Sequence, residues 1–344
     1  MAVTVKQIAQ HAGVSASTVS HILNNRGQYN EKTRARVKQT ADDLGYRPNR
    51  FAQGIRKGRF DCISLVLAHC PTLSYLPPYR LAGIHDELLD HGIHLVNSKL
   101  PEPQLENKDY ISSILRELMS DGLLINYNTK IPTTLTQFVE QSQLPAVWIN
   151  SKHDVDCVRP DDLKIGYQAT RHLIEMGHRD IAFLDYQGLH DQSRVWLHYS
   201  AFDHLNGYRQ AMEEEGLDLS MVHDQTMLVP EDKLDFSRHW HQQPNRPTAV
   251  LALTVLDAVP VYVAALLQGL KVPEDLSIVT VINDKLDLMS LPLTAFTIPN
   301  YEMGRAATSM LLKKIKNPAK KMEPLILEAT FSQGSTCAPP TPNY

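Results

Sequence analysis

Fifteen histidines are the first candidates for chemistry in this 344-residue chain. The tightest pair, His239-Trp240-His241, is an i,i+2 arrangement with no carboxylate or thiolate beside it to complete a metal-ligand set, so it reads as surface or core histidine. Cys62, Cys70, Cys157 and Cys337 lack CxxC spacing and zinc-type histidine spacing, and read as buried, reduced thiols of a cytosolic protein. No G-x-S-x-G, P-loop or H-E-x-x-H motif occurs. The expectation is no catalytic residue, no metal and no cofactor. Glu213-Glu214-Glu215 reads as a solvated helix end.

Charge points to a different chemistry. Residues 1–60 carry 11 basic and 3 acidic side chains, a balance of +8, whereas the remainder carries 23 basic and 35 acidic, a balance of −12. A basic module on an acidic body suits a protein that holds a polyanion at one end. On charge alone a solvated basic surface fits equally well. With 43% hydrophobic residues the chain can bury a large core, which excludes global disorder, a collagen-like fibre and a disulfide-stapled mini-protein. The opening MAVTVKQIAQHAG has no signal-peptide pattern, and no apolar run approaches the roughly 18 residues that span a bilayer. A soluble cytoplasmic protein without membrane contact is expected.

The first sixty residues must position whatever binds the polyanion. Thr4 with Gln7 has the form of a capping box, predicting a helix from Val5 that buries Ile8, Ala9 and Ala12. Gly13 supplies the positive φ of a turn. Ser15 caps a second helix, Ala16 to Leu23, whose Val19, Ile22 and Leu23 face inward and whose Ala16, Ser17, Ser20 and His21 face outward. Asn30 caps a third helix running to Leu44 and ended by Gly45. Two short helices across a glycine turn with a supporting third make a helix-turn-helix.

The run VTVKQIAQHAGVSASTVSHILNN followed by EKTRARVKQTADDLGYRPN resembles the DNA-binding headpiece of the LacI/GalR family over about fifty positions. The resemblance implies that the second helix enters the major groove, with Ala16, Ser17 and His21 at the base-reading positions. Ala16 offers apolar contact, Ser17 bonds several bases, and His21 donates to guanine N7 or O6; the plainer alternative for His21 is a solvent-facing histidine. Thr4, Ser15, Thr18, Asn24, Gln28 and Thr33 match phosphate-contacting positions, which set register.

Residues 48–60, PNRFAQGIRKGRF, have mixed propensity, and Gly54 weakens any helix there. By resemblance this is a hinge helix that folds on DNA and lies in the minor groove, with Ala52 beside Ile55, the apolar wedge between base pairs. The alternative is a flexible linker with Ile55 docked on the body.

From Cys62 onward, apolar runs alternate with helix-period segments: strands at 63–67, 93–96, 123–125, 146–149, 181–184, 227–229, 250–253, 277–282 and 296–298, and helices such as 79–91 and 163–176. That alternation predicts doubly wound parallel sheets. G-H-R-D-I-A-F-L at 177–184, R-P-T-A-V at 246–250 and G-L-K-V-P-E-D-L-S-I at 269–278 resemble the family's effector domain. The resemblance implies an α/β two-lobed, periplasmic-binding-protein-like domain joined by three crossovers, expected near 159–161, 289–293 and 321–324. The expected organisation is a headpiece over 1–47, a hinge over 48–60, an N-terminal lobe over 61–160 and 292–322, and a C-terminal lobe over 161–291 and 323–337. Residues 338–344 are expected to form a disordered tail.

Ligands of open α/β sheets sit beyond the carboxyl ends of strands, here in the cleft between lobes. The resemblance implies an arginine before Gly207-Tyr208, where His204 stands. It also implies acidic residues where Val255 and Ile282 stand; Asn150 and Asp161-Asp162 keep the polar pattern. These losses argue against a sugar clamp. Either a less polar or aromatic effector is held by Tyr75, Tyr79, Trp148 or Trp196, or a partner protein exerts control.

The resemblance as a whole implies a repressor that binds a pseudopalindromic operator as a homodimer, on nucleoid DNA, under a small-molecule effector of unassigned identity. The competing reading is a small-molecule-binding protein or enzyme on the same two-lobed fold without operator binding.

Overall fold

The computed structural model describes residues 3–47, 54, 58–68, 76–100, 120–127, 131–186, 188–189, 197–223, 232–243, 245–284, 291 and 293–341. The chain divides into two compact units, Met1–Phe60 and Asp61–Tyr344.

The first unit is three helices: α1 (Val5–Ala12), α2 (Ala16–Leu23) and α3 (Glu31–Asp43). Local chemistry sets each start. Thr4 and Gln7 form the reciprocal capping box, Ser15 accepts from the Thr18 amide, and Asn30 accepts from the Thr33 amide. Gly13 ends α1 in the left-handed conformation at φ +62°. Ile8, Ala12, Val19, Ile22, Val37 and Ala41 bury the shared core.

The second unit contains two six-stranded sheets, each covered by helices on both faces. The first comprises β1 (Cys62–Ala68), β2 (His94–Leu100), β3 (Gly122–Asn126), β4 (Ala146–Ile149), β5 (Cys157–Pro160) and β11 (Leu325–Leu327), in spatial order β11-β5-β4-β3-β1-β2. It is sandwiched between α5 (Thr133–Ser142) and the pair α4 (Pro78–Asp90) and α10 (Asn300–Lys316). The second comprises β6 (Ile181–Asp185), β7 (Ser220–His223), β8 (Ala249–Ala252), β9 (Ser277–Ile282), β10 (Thr294–Thr297) and β12 (Thr330–Ser332), ordered β12-β10-β9-β8-β6-β7. The pair α6 (Asp162–Glu175) and α7 (Tyr199–Glu214) covers one face, and α8 (Lys233–His241) with α9 (Val255–Leu267) the other. All pairings are parallel except β10 with β12.

The chain passes between lobes at Pro160–Asp162, at 298–299 and at 328–329. Two expected boundaries are thereby corrected. Residues 293–297 belong to the C-terminal lobe, because β10 pairs with β9, and 323–327 belong to the N-terminal lobe, because β11 pairs with β5. Apolar alternation reveals that a strand exists but not which sheet receives it, and β11 and β12 have only three residues each. β5 and β7 were also not anticipated; the strand expected at 227–229 lies outside the described residues. Residues 338–341, expected to be disordered, instead make specific contacts: the Ala338 carbonyl lies 2.9 Å from His178 Nε2, and Thr341 Oγ1 donates to the Glu274 carbonyl at 2.6 Å; residues 342–344 lie outside the described residues.

Each lobe's paired helices cross at facing glycines. A Cβ on Gly304 would fall 2.2 Å from the Arg80 carbonyl oxygen, and one on Gly83 2.1 Å from that of Tyr301. In the other lobe, a Cβ on Gly166 would meet the His204 carbonyl at 2.2 Å, and one on Gly207 the Leu163 carbonyl at 2.2 Å. Four residues after one glycine of each pair, a threonine hydroxyl donates to that glycine's carbonyl, Thr170 to Gly166 and Thr308 to Gly304. Gly304→Ala is expected to destabilise the effector domain by about 1–3 kcal/mol, the cost of overpacking against backbone, as measured by urea unfolding followed through tryptophan fluorescence.

Candidate nucleic-acid interface and effector cleft

On α2, the buried positions Val19 and Ile22 turn Ala16, Ser17 and His21 outward, and all three are exposed. Ser17 Oγ lies 2.7 Å from the Ser15 hydroxyl, and His21 Nδ1 lies 3.0 Å from the Tyr29 hydroxyl. Thr4, Ser15, Asn24 and Gln28 are exposed, while Thr18 and Thr33 are half-buried. Three of these polar residues also hold helix ends: Thr4 and Ser15 cap α1 and α2, and Asn24 Nδ2 donates to the Ser20 carbonyl at 2.7 Å at the end of α2. Ala52 and Ile55 lie outside the described residues.

In the effector domain, a cavity of about 200 Å³ opens between the lobes, beyond the carboxyl ends of the strands. Leu253, Val281, Ile282 and Ile298 form its apolar wall, and Arg80, Asn150, Asp162, His198 and His204 supply polar groups. Of the residues expected there, Asn150, His204 and Ile282 line it. Others do not. Asp161 turns away to cap α6, its carboxylate accepting from the Lys164 amide at 3.1 Å, and its neighbour Asp162 faces the cleft instead. Val255 packs with the core under α9, leaving Thr254 on the cleft wall. Trp148 is buried on the opposite face of its sheet and stacks on His153 with ring centroids 4.2 Å apart. Tyr79 borders a separate depression beside Pro299 and Tyr301. Tyr75 and Trp196 lie outside the described residues.

Arg80 was not anticipated. An arginine in YRLAGIHDELLD reads as a solvated side chain, yet Arg80 is buried. Its guanidinium donates to Asn126 Oδ1 at 2.6 Å and to Asn300 Oδ1 from Nε at 2.9 Å and Nη2 at 2.6 Å. The Asn300 amide then donates to the Asn283 carbonyl in the other lobe at 2.7 Å. Two further bonds cross the cleft. His198 Nε2 donates to the Asn150 carbonyl at 2.8 Å, and Lys152 pairs with Asp203 at 2.8 Å. Because His198 Nε2 carries the proton, its Nδ1 accepts from the Ser200 hydroxyl at 2.7 Å. Burial, reinforced by the Arg80 charge after a partial offset from the Asn150 bond, pushes His198 down to about 4. Asn150 itself sits at φ +53°, a conformation asparagine tolerates better than most residues.

His204 Nε2 and Asp162 Oδ1 are 3.4 Å apart, and burial favours the neutral form of each. Burial pushes His204 down to about 3 and lifts Asp162 to about 7, against the pull of the nearby Tyr199 hydroxyl. Neither Asp162 oxygen, nor His204 Nε2, nor the Tyr199 hydroxyl has a well-formed hydrogen bond. The remaining histidine and thiol candidates are structural: His241 Nε2 lies 3.0 Å from the Val261 carbonyl, His239 Nδ1 lies 2.7 Å from the Asp235 carbonyl, and Cys62, Cys157 and Cys337 are buried free thiols. Cys70 lies outside the described residues. Among the described residues, no cluster of three or more His, Cys, Asp or Glu could hold a metal, and no helix is long and apolar enough to cross a membrane.

Residues 4–49 match the family model described as bacterial regulatory proteins, lacI family, and residues 170–337 match a periplasmic binding protein-like domain. The HTH-type transcriptional regulator DegA of Bacillus subtilis (strain 168) is 30% identical over 314 residues, which cover 88% of this chain and 89% of DegA. The chain belongs to the lacI family. It is a sequence-specific DNA-binding transcriptional regulator. RegA of Clostridium saccharobutylicum is 28% identical over 91% of this chain and 92% of RegA. The lac repressor dimer bound to operator and the anti-inducer ONPF shares the fold at a TM-score of 0.82 and 22% identity, over 98% of this chain and 100% of that one. A complex of the regulator CelR with cellobiose aligns at a TM-score of 0.66 and 24% identity, over 97% and 99% of the two chains.

Asp162 gives the effector domain a pH signature. Its carboxyl is raised in the fold from 3.8 to about 7, so the folded state holds a proton that the unfolded state loses, and stability contributed by that carboxyl declines as pH rises from about 4 through 7. His198 and His204 act oppositely below about pH 6.5, since the unfolded state binds their protons more readily. Asp162→Asn isolates the first effect. Its stability relative to the parent is expected to rise from pH 5 to pH 8, by at most about 1.4 kcal/mol per pH unit, in denaturant titrations at each pH.

Proposed function

We propose that this regulator is a homodimeric repressor that binds a pseudopalindromic operator, one headpiece per half-site, and that a small-molecule effector in the interlobe cleft controls its affinity. The observation that carries the DNA half is the outward face of α2. Ala16, Ser17 and His21 are held there by a helix whose cap and buried stripe leave them no role in the headpiece core. Ala16 reads a thymine methyl, and Ser17 and His21 read polar base edges. The exposed residues Thr4, Ser15, Asn24 and Gln28, with Thr18 and Thr33, set register on phosphates. Ala52 and Ile55 of the hinge enter the minor groove. The site of action is cytoplasmic, on nucleoid DNA.

Dimerisation uses the outer face of α9. Leu256 and Leu267 are 72% and 64% exposed on α9, and the half-buried Val259 and Val263 fall on the same face of that helix by their spacing. Such a row of apolar side chains favours association with a second copy. The double variant Leu256→Glu, Leu267→Glu is expected to sediment as a monomer and to bind its operator ~100-fold or more weakly, because the second half-site contact is no longer intramolecular.

The effector is a compact molecule with an apolar face. The lobes close over about 200 Å³, and the Leu253, Val281, Ile282 and Ile298 wall offers no hydroxyl-binding group. Polar recognition comes from Arg80, Asn150 and the Asp162–His204 corner. Two measurements test the whole reading. Selection from a randomised duplex pool is expected to enrich one pseudopalindrome, with log affinity falling linearly in log salt; a pool that stays random refutes operator binding. Thermal denaturation against sugars, sugar phosphates, nucleosides and amino acids is expected to reveal a ligand adding about 2.7 kcal/mol at a hundred times its Kd. A silent panel would turn the search to a protein partner.

A further inference from the structure

His21 is exposed on α2, and a free imidazole there would rotate and exchange tautomers, presenting a donor to the groove at one moment and an acceptor at the next. The structure removes that freedom. Tyr29, in the segment between α2 and α3, is half-buried with its ring packed against the headpiece core, and its hydroxyl reaches back to His21 Nδ1 at 3.0 Å. The two rings lie 6.4 Å apart and are tilted at 47°, so they meet through this polar contact and not by stacking. Gly27 makes room for the tyrosine: a Cβ there would fall 2.9 Å from Tyr29 Cε2, and its backbone sits at φ +73°.

We propose that Tyr29 is a positioning residue for sequence readout, holding His21 Nδ1 so that Nε2 is presented to the base edge as a proton donor. The proposal rests on His21 reading a base, as set out above. Direction follows from chemistry: the phenolic O–H is the more acidic of the two donors, so it donates to Nδ1 and leaves the ring proton on Nε2. A fixed Nε2–H selects acceptors on the major-groove edge, guanine N7 and O6 foremost, and disfavours the amino donor of cytosine. Anchoring the ring before binding also spares part of the entropy otherwise lost on ordering it.

The test uses the full-length dimer and a pool of duplexes randomised around a central pseudopalindrome, sequenced after selection. Base preferences are compared for the parent, Tyr29→Phe, His21→Ala and the double variant. Tyr29→Phe keeps the buried ring and is expected to weaken discrimination at one position of each half-site by about three- to tenfold, the worth of one neutral hydrogen bond. That position should be the one His21→Ala flattens. In the His21→Ala background, Tyr29→Phe should change nothing, the non-additivity that marks action through a shared contact. A Tyr29→Phe profile identical to the parent's, or a uniform loss of affinity with no position singled out, would overturn the positioning role while leaving His21's reading intact. If His21→Ala flattens no position, the reading of His21 fails, and the role of Tyr29 fails with it.

Discussion

The close approach of two helix backbones at facing glycines governs each lobe of the effector domain. Gly83 and Gly304 let α4 and α10 touch, and Gly166 and Gly207 do the same for α6 and α7. The carbonyls that these glycines approach belong to Tyr301, Arg80, His204 and Leu163, and two of those residues line the cleft. The same contact that lets the helices pack thus fixes where the Arg80 guanidinium and the His204 imidazole begin. A recognition site needs its side chains held to within about 0.5 Å, and backbone-to-backbone contact is a rigid frame on which to start them.

The contrast between the two units lies in how they solve the problem of a polar group. The headpiece leaves the outward side chains of α2 in water and uses Thr4, Ser15 and Asn30 as caps. The cleft buries a guanidinium, an imidazole and a carboxyl, at Arg80, His204 and Asp162, and gives specific partners to Arg80 and to the half-buried His198. Where the partner is missing, at Asp162, His204 and Tyr199, the groups move toward their neutral forms.

The headpiece was legible because its signals are local. Thr4, Ser15 and Asn30 each sit within three residues of the amide they cap, and Gly13 marks its own turn. Most strand positions were legible for a similar reason, but β5, β7, β11 and β12 were not. The cleft was less so. Two consecutive aspartates, Asp161 and Asp162, differ only in helical phase: one caps and the other faces the cavity, a distinction of one residue that sequence pattern alone does not resolve. Arg80 was invisible because its burial depends on Asn126 and Asn300, distant in sequence, and on glycines that bring α10 against α4. Trp148 looked like a ligand stack because an aromatic near the end of a strand can reach the cleft or pack into the core, and here it packs into the core beneath α5.

The contacts that span the cleft also separate two kinds of sensitivity. Among the described residues, the crossing bonds from His198 to Asn150 and from Asn300 to Asn283 join neutral groups, while the Lys152–Asp203 pair carries charge, with its lysine half exposed. Dissolved ions weaken an exposed ion pair but scarcely touch buried neutral hydrogen bonds. Grip on a polyanion, by contrast, loosens steeply as ions are added. Added salt therefore bears mainly on the hold of the headpiece on DNA and far less on these bonds between the lobes.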